Sequence, residues 1–307
     1  MDEAVMTPIA SIIIILLIIL TIVALITSII CGITISDRYL KTVKKFTNSI
    51  QQIKKEGLKH RLQIDNNDEL GQLGKEFNDV LDQLENSLNQ QSQFVSDASH
   101  ELKTPLAIIK GNLDMLRRWG KDDPKVLSSA LEVSSKEVDR LVTLCNELLH
   151  LTREIKVKCD KKIDIVPIIY DTVEDFKKLN PNIIFTVTID SHQEIKINEE
   201  HLKQLLIILI DNAVKYSKHN EIRIEIQYLE NQLKIKDYGI GIDKDKIDHI
   251  FNRFYKVDES RVQNNNSFGL GLAIAKRLCD YYGYQINVIS KINEYTEFTI
   301  NLKENDL

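Results

Sequence analysis

Phe94-Val95-Ser96-Asp97-Ala98-Ser99-His100-Glu101-Leu102-Lys103-Thr104-Pro105-Leu106 decides how the chain is read. On a helix, His100 lies about 200° from both Ala98 and Leu102, so an apolar seam through those two residues turns the imidazole out to solvent. Thr104 is four residues on and shares the exposed face, with Glu101 one residue round. Pro105 has no N–H, and its ring crowds the Glu101 carbonyl, which predicts a bend in the helix there.

Working outward, the seam continues through Leu106, Ile109, Leu113 and Leu116. Trp119-Gly120-Lys121-Asp122-Asp123-Pro124 reads as a turn, and Leu131, Val138, Leu141, Cys145, Leu148 and Leu149 mark a second amphipathic helix. Two long helices joined by a short loop make a hairpin with one apolar stripe on each. A second hairpin would cover those stripes, so residues 91–156 are expected to form a dimeric four-helix bundle and the chain a homodimer.

Towards the amino terminus, residues 9–30 are almost wholly apolar, with Ser11, Thr21, Thr27 and Ser28 the only polar side chains. A bilayer core about 30 Å thick needs roughly 20 helical residues, so a transmembrane helix is expected over residues 9–35. A cleaved signal peptide fits less well, because the run is too long, no basic segment precedes it and a good cleavage site is missing. Asp2 and Glu3 precede the run, while Arg38, Lys41, Lys44 and Lys45 follow it. The positive-inside rule then places residues 1–8 outside and the rest in the cytoplasm, anchored in the lipid bilayer of the cell membrane. Residues 1–8 are too few for a ligand-binding domain, so the stimulus is sensed in the membrane, by a partner, or by a portion upstream of this chain.

Beyond the apolar run, Leu40, Val43, Ile50 and Ile53 lie near one helical stripe that Gly57 interrupts. Asp65-Asn66-Asn67-Asp68 reads as a polar turn, and Leu70, Leu73, Phe77, Val80 and Leu84 alternate steps of three and four, a coiled-coil seam. Two short amphipathic helices after a membrane helix, together with Asp68-Glu69-Leu70-Gly71, resemble a HAMP signal-relay module over residues 36–90. Tyr39 stands about where the first HAMP helix often has a proline.

The string around His100 resembles the H-box of sensor histidine kinases of two-component systems. Neutral imidazole is a competent nucleophile near pH 7, and a carboxylate taking the proton from one ring nitrogen sharpens the other. The resemblance implies that the distal nitrogen of His100 takes the phosphoryl group from ATP and that Glu101 is the proton acceptor. It implies that Thr104 helps orient water for dephosphorylating a response regulator, the partner whose aspartate receives the group.

From about Cys159 the pattern changes. Ile183–Ile189, Ile222-Arg223-Ile224-Glu225-Ile226 and Leu233-Lys234-Ile235 alternate as strands, and helical runs cover 200–216 and 270–282. Residues 157–307 thus read as an α/β sandwich of ordinary single-domain size. Asp211-Asn212-Ala213-Val214-Lys215-Tyr216-Ser217, Asp237-Tyr238-Gly239-Ile240-Gly241 and Gly269-Leu270-Gly271-Leu272-Ala273 resemble, in order and spacing, the motifs of the Bergerat ATP-binding fold of histidine kinases and gyrase-type ATPases. That resemblance implies Asn212 on Mg²⁺, Lys215 on phosphate, Tyr216 beside adenine and Asp237 accepting the adenine amine. Gly239, Gly241, Gly269 and Gly271 would let backbone approach the nucleotide. Ile250-Phe251-Asn252-Arg253-Phe254-Tyr255-Lys256-Val257-Asp258 resembles the F-box, which brings Phe254 to the site, and residues 263–267 would be the ATP lid. Residues 156–162 are the expected hinge.

One position departs from the family. Ile208 stands where a second asparagine is usual, and an apolar side chain neither ligates Mg²⁺ nor holds water. Reduced metal or nucleotide affinity is expected. It also leaves a kinase-impaired phosphatase or nucleotide-binding scaffold as an alternative to an active kinase; a non-enzymatic membrane-anchored coiled coil fits the glycine and asparagine motifs poorly. Net charge is −5, giving no electrostatic reason for direct nucleic-acid binding. Cys31, Cys145, Cys159 and Cys279 are scattered with no CxxC pair, against zinc or a disulfide framework. The reading is therefore a multidomain chain of transmembrane helix, helical HAMP module, dimeric four-helix bundle and C-terminal α/β sandwich.

Overall fold

An apolar run followed directly by an amphipathic one, with no proline or glycine strong enough to stop it, gives a single long helix. In the computed structural model, helix α1 (Glu3–Glu56) passes through the expected module boundary at residue 35 without a break. The structure describes residues 3–62, 69–120, 123–153, 155, 162–190, 194–217, 222–257 and 267–303. The polar turn expected at 65–68, Asp258, the lid at 263–266 and the hinge at 156–161 lie outside the described residues.

The chain divides into two compact units, Met1–Val95 and Ser96–Leu307. In the first, α1 is the one described helix long and apolar enough to cross a membrane, with a mean hydropathy of 3.2 in its most apolar window. Two hydroxyls within that stretch bond inside the helix: Thr21 donates to the Ile18 carbonyl at 2.8 Å and Thr27 to that of Val23 at 3.0 Å. Back-bonding of this kind is what an apolar surrounding would demand of such groups. Gly57 ends α1, its φ of +89° fitting a left-handed cap and its amide donating to the Ile53 carbonyl at 2.9 Å.

After Gly57 the connector is tied to α2 (Glu69–Trp119). Leu62 donates its amide to Asn78 Oδ1 at 2.9 Å, and Asn78 returns a bond to the Leu62 carbonyl at 3.0 Å. Arg61 meets Asp82 and Glu85 at 2.5 Å each. The apolar stripes divide more finely than the spacing suggests. Phe46 and Phe77 pack with ring centroids 5.8 Å apart, and Leu62, Gly71, Gly74 and Leu81 are buried. Leu40, Val43 and Ile50 on α1, and Leu73, Val80 and Leu84 on α2, are instead exposed in the single chain. Each helix carries two neighbouring faces, one covered within the chain and one not.

The second unit begins with the rest of α2, which continues past Pro105 to Trp119. Helix α3 (Pro124–Thr152) starts where Asp123 accepts the Lys125 amide at 2.9 Å, with proline in the first turn. Pro105, Ala130, Leu144 and Leu151 are buried, whereas Leu106, Leu113, Leu131, Val138 and Leu149 remain exposed along the hairpin.

The remaining elements are β1 (Ile163–Asp164), α4 (Ile165–Leu179), β2 (Ile183–Ile189), β3 (Glu194–Ile195), α5 (Glu199–Lys215), β4 (Ile222–Leu229), β5 (Gln232–Asp237), α6 (Lys244–Ile247), α7 (Gly271–Tyr281), β6 (Gln285–Lys291) and β7 (Tyr295–Asn301). The five-stranded sheet has the order β2-β4-β5-β7-β6. Its β2–β4 pair is parallel and its other pairs are antiparallel. Helices α4, α5 and α7 pack together against it. Leu202, Leu205, Leu206, Leu209 and Ile210 of α5 bury themselves against Ile224, Ile226, Leu233, Ile235 and Phe298 of the sheet layer. Helix α4 and strands β6 and β7 are additions to the elements read from the sequence.

Candidate nucleotide cleft and phosphoacceptor histidine

His100 is exposed on α2. Thr104, also exposed, donates its hydroxyl to the His100 carbonyl at 3.4 Å. Glu101 turns to the α/β layers instead, with its Oε2 3.7 Å from Lys256 Nζ. Neighbouring residues on a helix do not face one another, so this outcome follows from helix geometry.

The second site forms by strand parity. Along β5, Leu233, Ile235 and Asp237 share the inward face, and all three are buried. A carboxylate at an apolar position is therefore pushed into the core. Across the ladder, Thr296 of β7 is its register partner and is also buried. Asp237 Oδ1 accepts the Gly239 amide at 2.9 Å. Burial disfavours the charged form, raising the Asp237 pKa to about 6, with the Gly239 bond partly opposing this.

The loop after β5 is stapled by backbone bonds. Ile240 donates to the Tyr216 carbonyl at 3.0 Å, Ile242 to Ser290 Oγ at 2.8 Å, and Asn293 to the Ile240 carbonyl at 2.8 Å. A Cβ on Gly239 would collide with the Tyr216 carbonyl oxygen and lie 2.8 Å from Asp237 Oδ1. Gly269, at a φ of +73°, lies so close to Phe254 and Tyr255 that its Cβ would sit 2.7 Å from the Tyr255 carbonyl oxygen. Glycine is required at both places.

One cleft gathers Asn212, Lys215, Tyr216, Asp237, Gly241, Gly269 and Gly271. Gly239 stands behind Asp237. Phe254 lies outside the lining, its backbone at a φ of +60° running against Gly269, and Tyr255 lines the cleft. Thr296, Phe298, Phe268 and Glu147 also line the cleft and were not read from the sequence. Thr296 becomes visible only once β7 is paired with β5. Ile208 lines the cleft one helical turn before Asn212 and contacts the Gly271 region. Lys215 Nζ is bridged to Asp211 at 2.5 Å. Glu147, from α3, has its pKa raised by burial; Lys215 and Lys256 act to lower it and Asp211 to raise it. Among the described residues no group of three or more His, Cys, Asp or Glu could hold a metal.

Three family models match in chain order. They are the HAMP domain over residues 39–86, the His Kinase A (phospho-acceptor) domain over 90–155, and the Histidine kinase-, DNA gyrase B-, and HSP90-like ATPase over 197–306. The chain thus carries, in this order, a HAMP domain, a histidine phospho-acceptor domain with the exposed His100, and a histidine kinase-type ATPase domain with the cleft. Among curated proteins it is similar to signal transduction histidine-protein kinase ArlS of Staphylococcus haemolyticus, at 39% identity over 289 residues covering 91% of this chain and 64% of that protein. It is also similar to ArlS of Staphylococcus aureus, at 38% over 273 residues covering 86% and 60%. The chain thus spans less than two thirds of the length of these relatives. Among solved structures, histidine kinase ThkA in complex with response regulator protein TrrA shares the fold, at a TM-score of 0.56 and 22% identity over 73% of this chain and 65% of that one.

Proposed function

We propose that the chain is a membrane-anchored autokinase that transfers the γ-phosphoryl group of ATP to His100 and passes it to an aspartate of a separate response regulator. The observation that carries this reading is the pairing, in one compact unit, of an exposed His100 with a cleft whose polar groups include Asp237, Thr296, Asn212 and Lys215. Asp237 would accept the adenine amine while keeping its bond to Gly239, and Tyr216 would flank the base. Lys215 would release Asp211 to meet phosphate. Asn212 offers an amide oxygen of the hard type that suits Mg²⁺, which keeps most of its waters and phosphate ligands; the ion would neutralise charge on the transferring group. The distal ring nitrogen of His100 attacks the γ-phosphorus in line, forming the P–N bond as the bond to ADP breaks. Glu101 takes the proton from the other nitrogen once its 3.7 Å contact with Lys256 opens.

Thr104, beside His100, supports a second activity as a phosphatase of the regulator. The exposed apolar faces of α1, α2 and α3 suit a second copy of the chain, making a homodimeric four-helix stalk. The apolar part of α1 supports anchorage in the cell membrane with the catalytic part cytoplasmic.

The test is to incubate the full chain in nanodiscs with Mg²⁺ and γ-labelled ATP, then with receiver proteins. An acid-labile label on His100 that moves to a receiver is expected; no label on His100 sinks the kinase reading. Ile208 favours the alternative of a kinase-impaired phosphatase or scaffold. Ile208→Asn is expected to raise an already measurable rate of autophosphorylation about three- to tenfold by restoring a polar ligand beside Asn212. A wild-type rate of zero with activity appearing only in the variant would favour the scaffold.

A further inference from the structure

Glu147 is the odd member of the cleft. The other lining residues come from the α/β layers and their loops, whereas Glu147 reaches in from α3 of the hairpin. Among the described residues, its Oε2 is buried with no hydrogen-bond partner. The charged groups acting on it are Lys215, Lys256 and Asp211, but Lys215 already leans on Asp211 and Lys256 towards Glu101. A carboxylate oxygen buried without a hydrogen bond is unfavourable, so other contacts must keep α3 in place.

Two such contacts are present. Arg277 of α7 donates to the carbonyls of His150 and Arg153 at 2.6 Å each, satisfying orphan acceptors at the end of α3. The Arg140 guanidinium of α3 lies 5.2 Å over the Phe268 ring.

We infer that Glu147 occupies the phosphate end of the cleft as a displaceable anion and thereby sets the affinity for nucleoside triphosphates. The inference rests on reading the cleft as a nucleotide site with Lys215 on phosphate. A polyphosphate and a buried carboxylate cannot share Lys215 and Lys256, since like charges at close range repel strongly where water is scarce. A triphosphate therefore expels Glu147, and α3 with it, from the cleft mouth. Asp237 and Thr296 enter the cleft from the β5–β7 ladder, whereas the lysines that bear on Glu147 are Lys215 and Lys256. The adenine end can consequently fill without that displacement. Adenosine binds with α3 docked; ATP binds only as α3 is released, so the phosphate tail, not the base, frees the α/β layers from the hairpin.

The test titrates MgATP and adenosine separately into the full chain in nanodiscs. Glu147→Gln removes the charge at constant size and is expected to tighten MgATP about tenfold while leaving adenosine within about twofold. Glu147→Ala should shift MgATP in the same direction. Arg277→Ala lies outside the cleft and loosens the docking of α3, so it should also tighten MgATP. Combined with Glu147→Gln it should add little, because both changes remove one obstacle. Weaker MgATP binding in Glu147→Gln would make the carboxylate a ligand and overturn the inference. Equal shifts for ATP and adenosine would overturn it too. Wild-type protein that binds both ligands, with variants indistinguishable from it, removes the inference alone; wild-type protein that binds neither removes the nucleotide reading with it.

Discussion

Replacing His100 by glutamine is expected to abolish ATP-derived labelling of the chain, a loss of at least about a thousandfold, because an amide is no nucleophile towards phosphorus. The change should leave the fold alone. His100 is exposed, and its carbonyl, which accepts from Thr104, belongs to the backbone. Melting temperature should stay within about 2 °C of wild type, as for surface substitutions generally. MgATP affinity should not change either, since His100 does not line the cleft. A different histidine is a poor substitute: His201, for example, has its Nδ1 2.7 Å from the Tyr282 hydroxyl, and burial lowers its pKa. Label persisting in His100→Gln at more than a few per cent of wild type would move the acceptor elsewhere and break the reading.

The sequence made some of this legible and hid the rest for physical reasons. Outward exposure of His100 follows from helical spacing against Ala98 and Leu102, because 3.6 residues per turn leaves little choice. The end of α1 at Gly57 and the start of α3 after Asp123 follow from local backbone chemistry. The coiled-coil stripes were harder. Spacing by threes and fours cannot separate a face covered by the same chain from one left for another, so Leu40 and Ile53 were read as one stripe though only Ile53 is partly covered. Helix α4 begins Ile165-Val166-Pro167, two β-branched residues and a proline, which reads as strand or loop until Asp164 is seen capping the Val166 amide at 2.9 Å. Thr296 and Glu147 were beyond reach for a different reason: each joins the cleft through pairing or docking far along the chain. Phe254 was assigned to the cleft by likeness to a motif, and neither its left-handed backbone nor the place of Tyr255 in the lining is visible to spacing.

Asp237→Asn is expected to split stability from binding. The buried carboxylate has its pKa raised from the model-peptide value of 3.8 to about 6, so folding pulls its charge into an unfavourable place. A carboxylate with a raised folded pKa weakens the fold above that pKa, and the penalty fades as pH falls from about 6 towards 3.8. At pH 7.5 the penalty is about 2–3 kcal/mol by the usual conversion. Asparagine removes the charge and can still accept the Gly239 amide, so the nucleotide-free protein should melt higher than wild type at pH 7.5, with the gap closing as pH falls below 6. Binding should move the other way. An ionised Asp237 can accept both the Gly239 amide and the adenine amine, whereas a side-chain amide has one oxygen for both. MgATP affinity should fall about a hundredfold in Asp237→Asn at pH 7.5. As pH drops through 6, wild-type affinity should decline relative to that of the variant, in which residue 237 no longer titrates. Calorimetric titration and thermal melts on the same samples read both trends. Should Asp237→Asn lose stability together with affinity, the carboxylate would be the anchor of the Gly239 turn and not the acceptor that selects adenine.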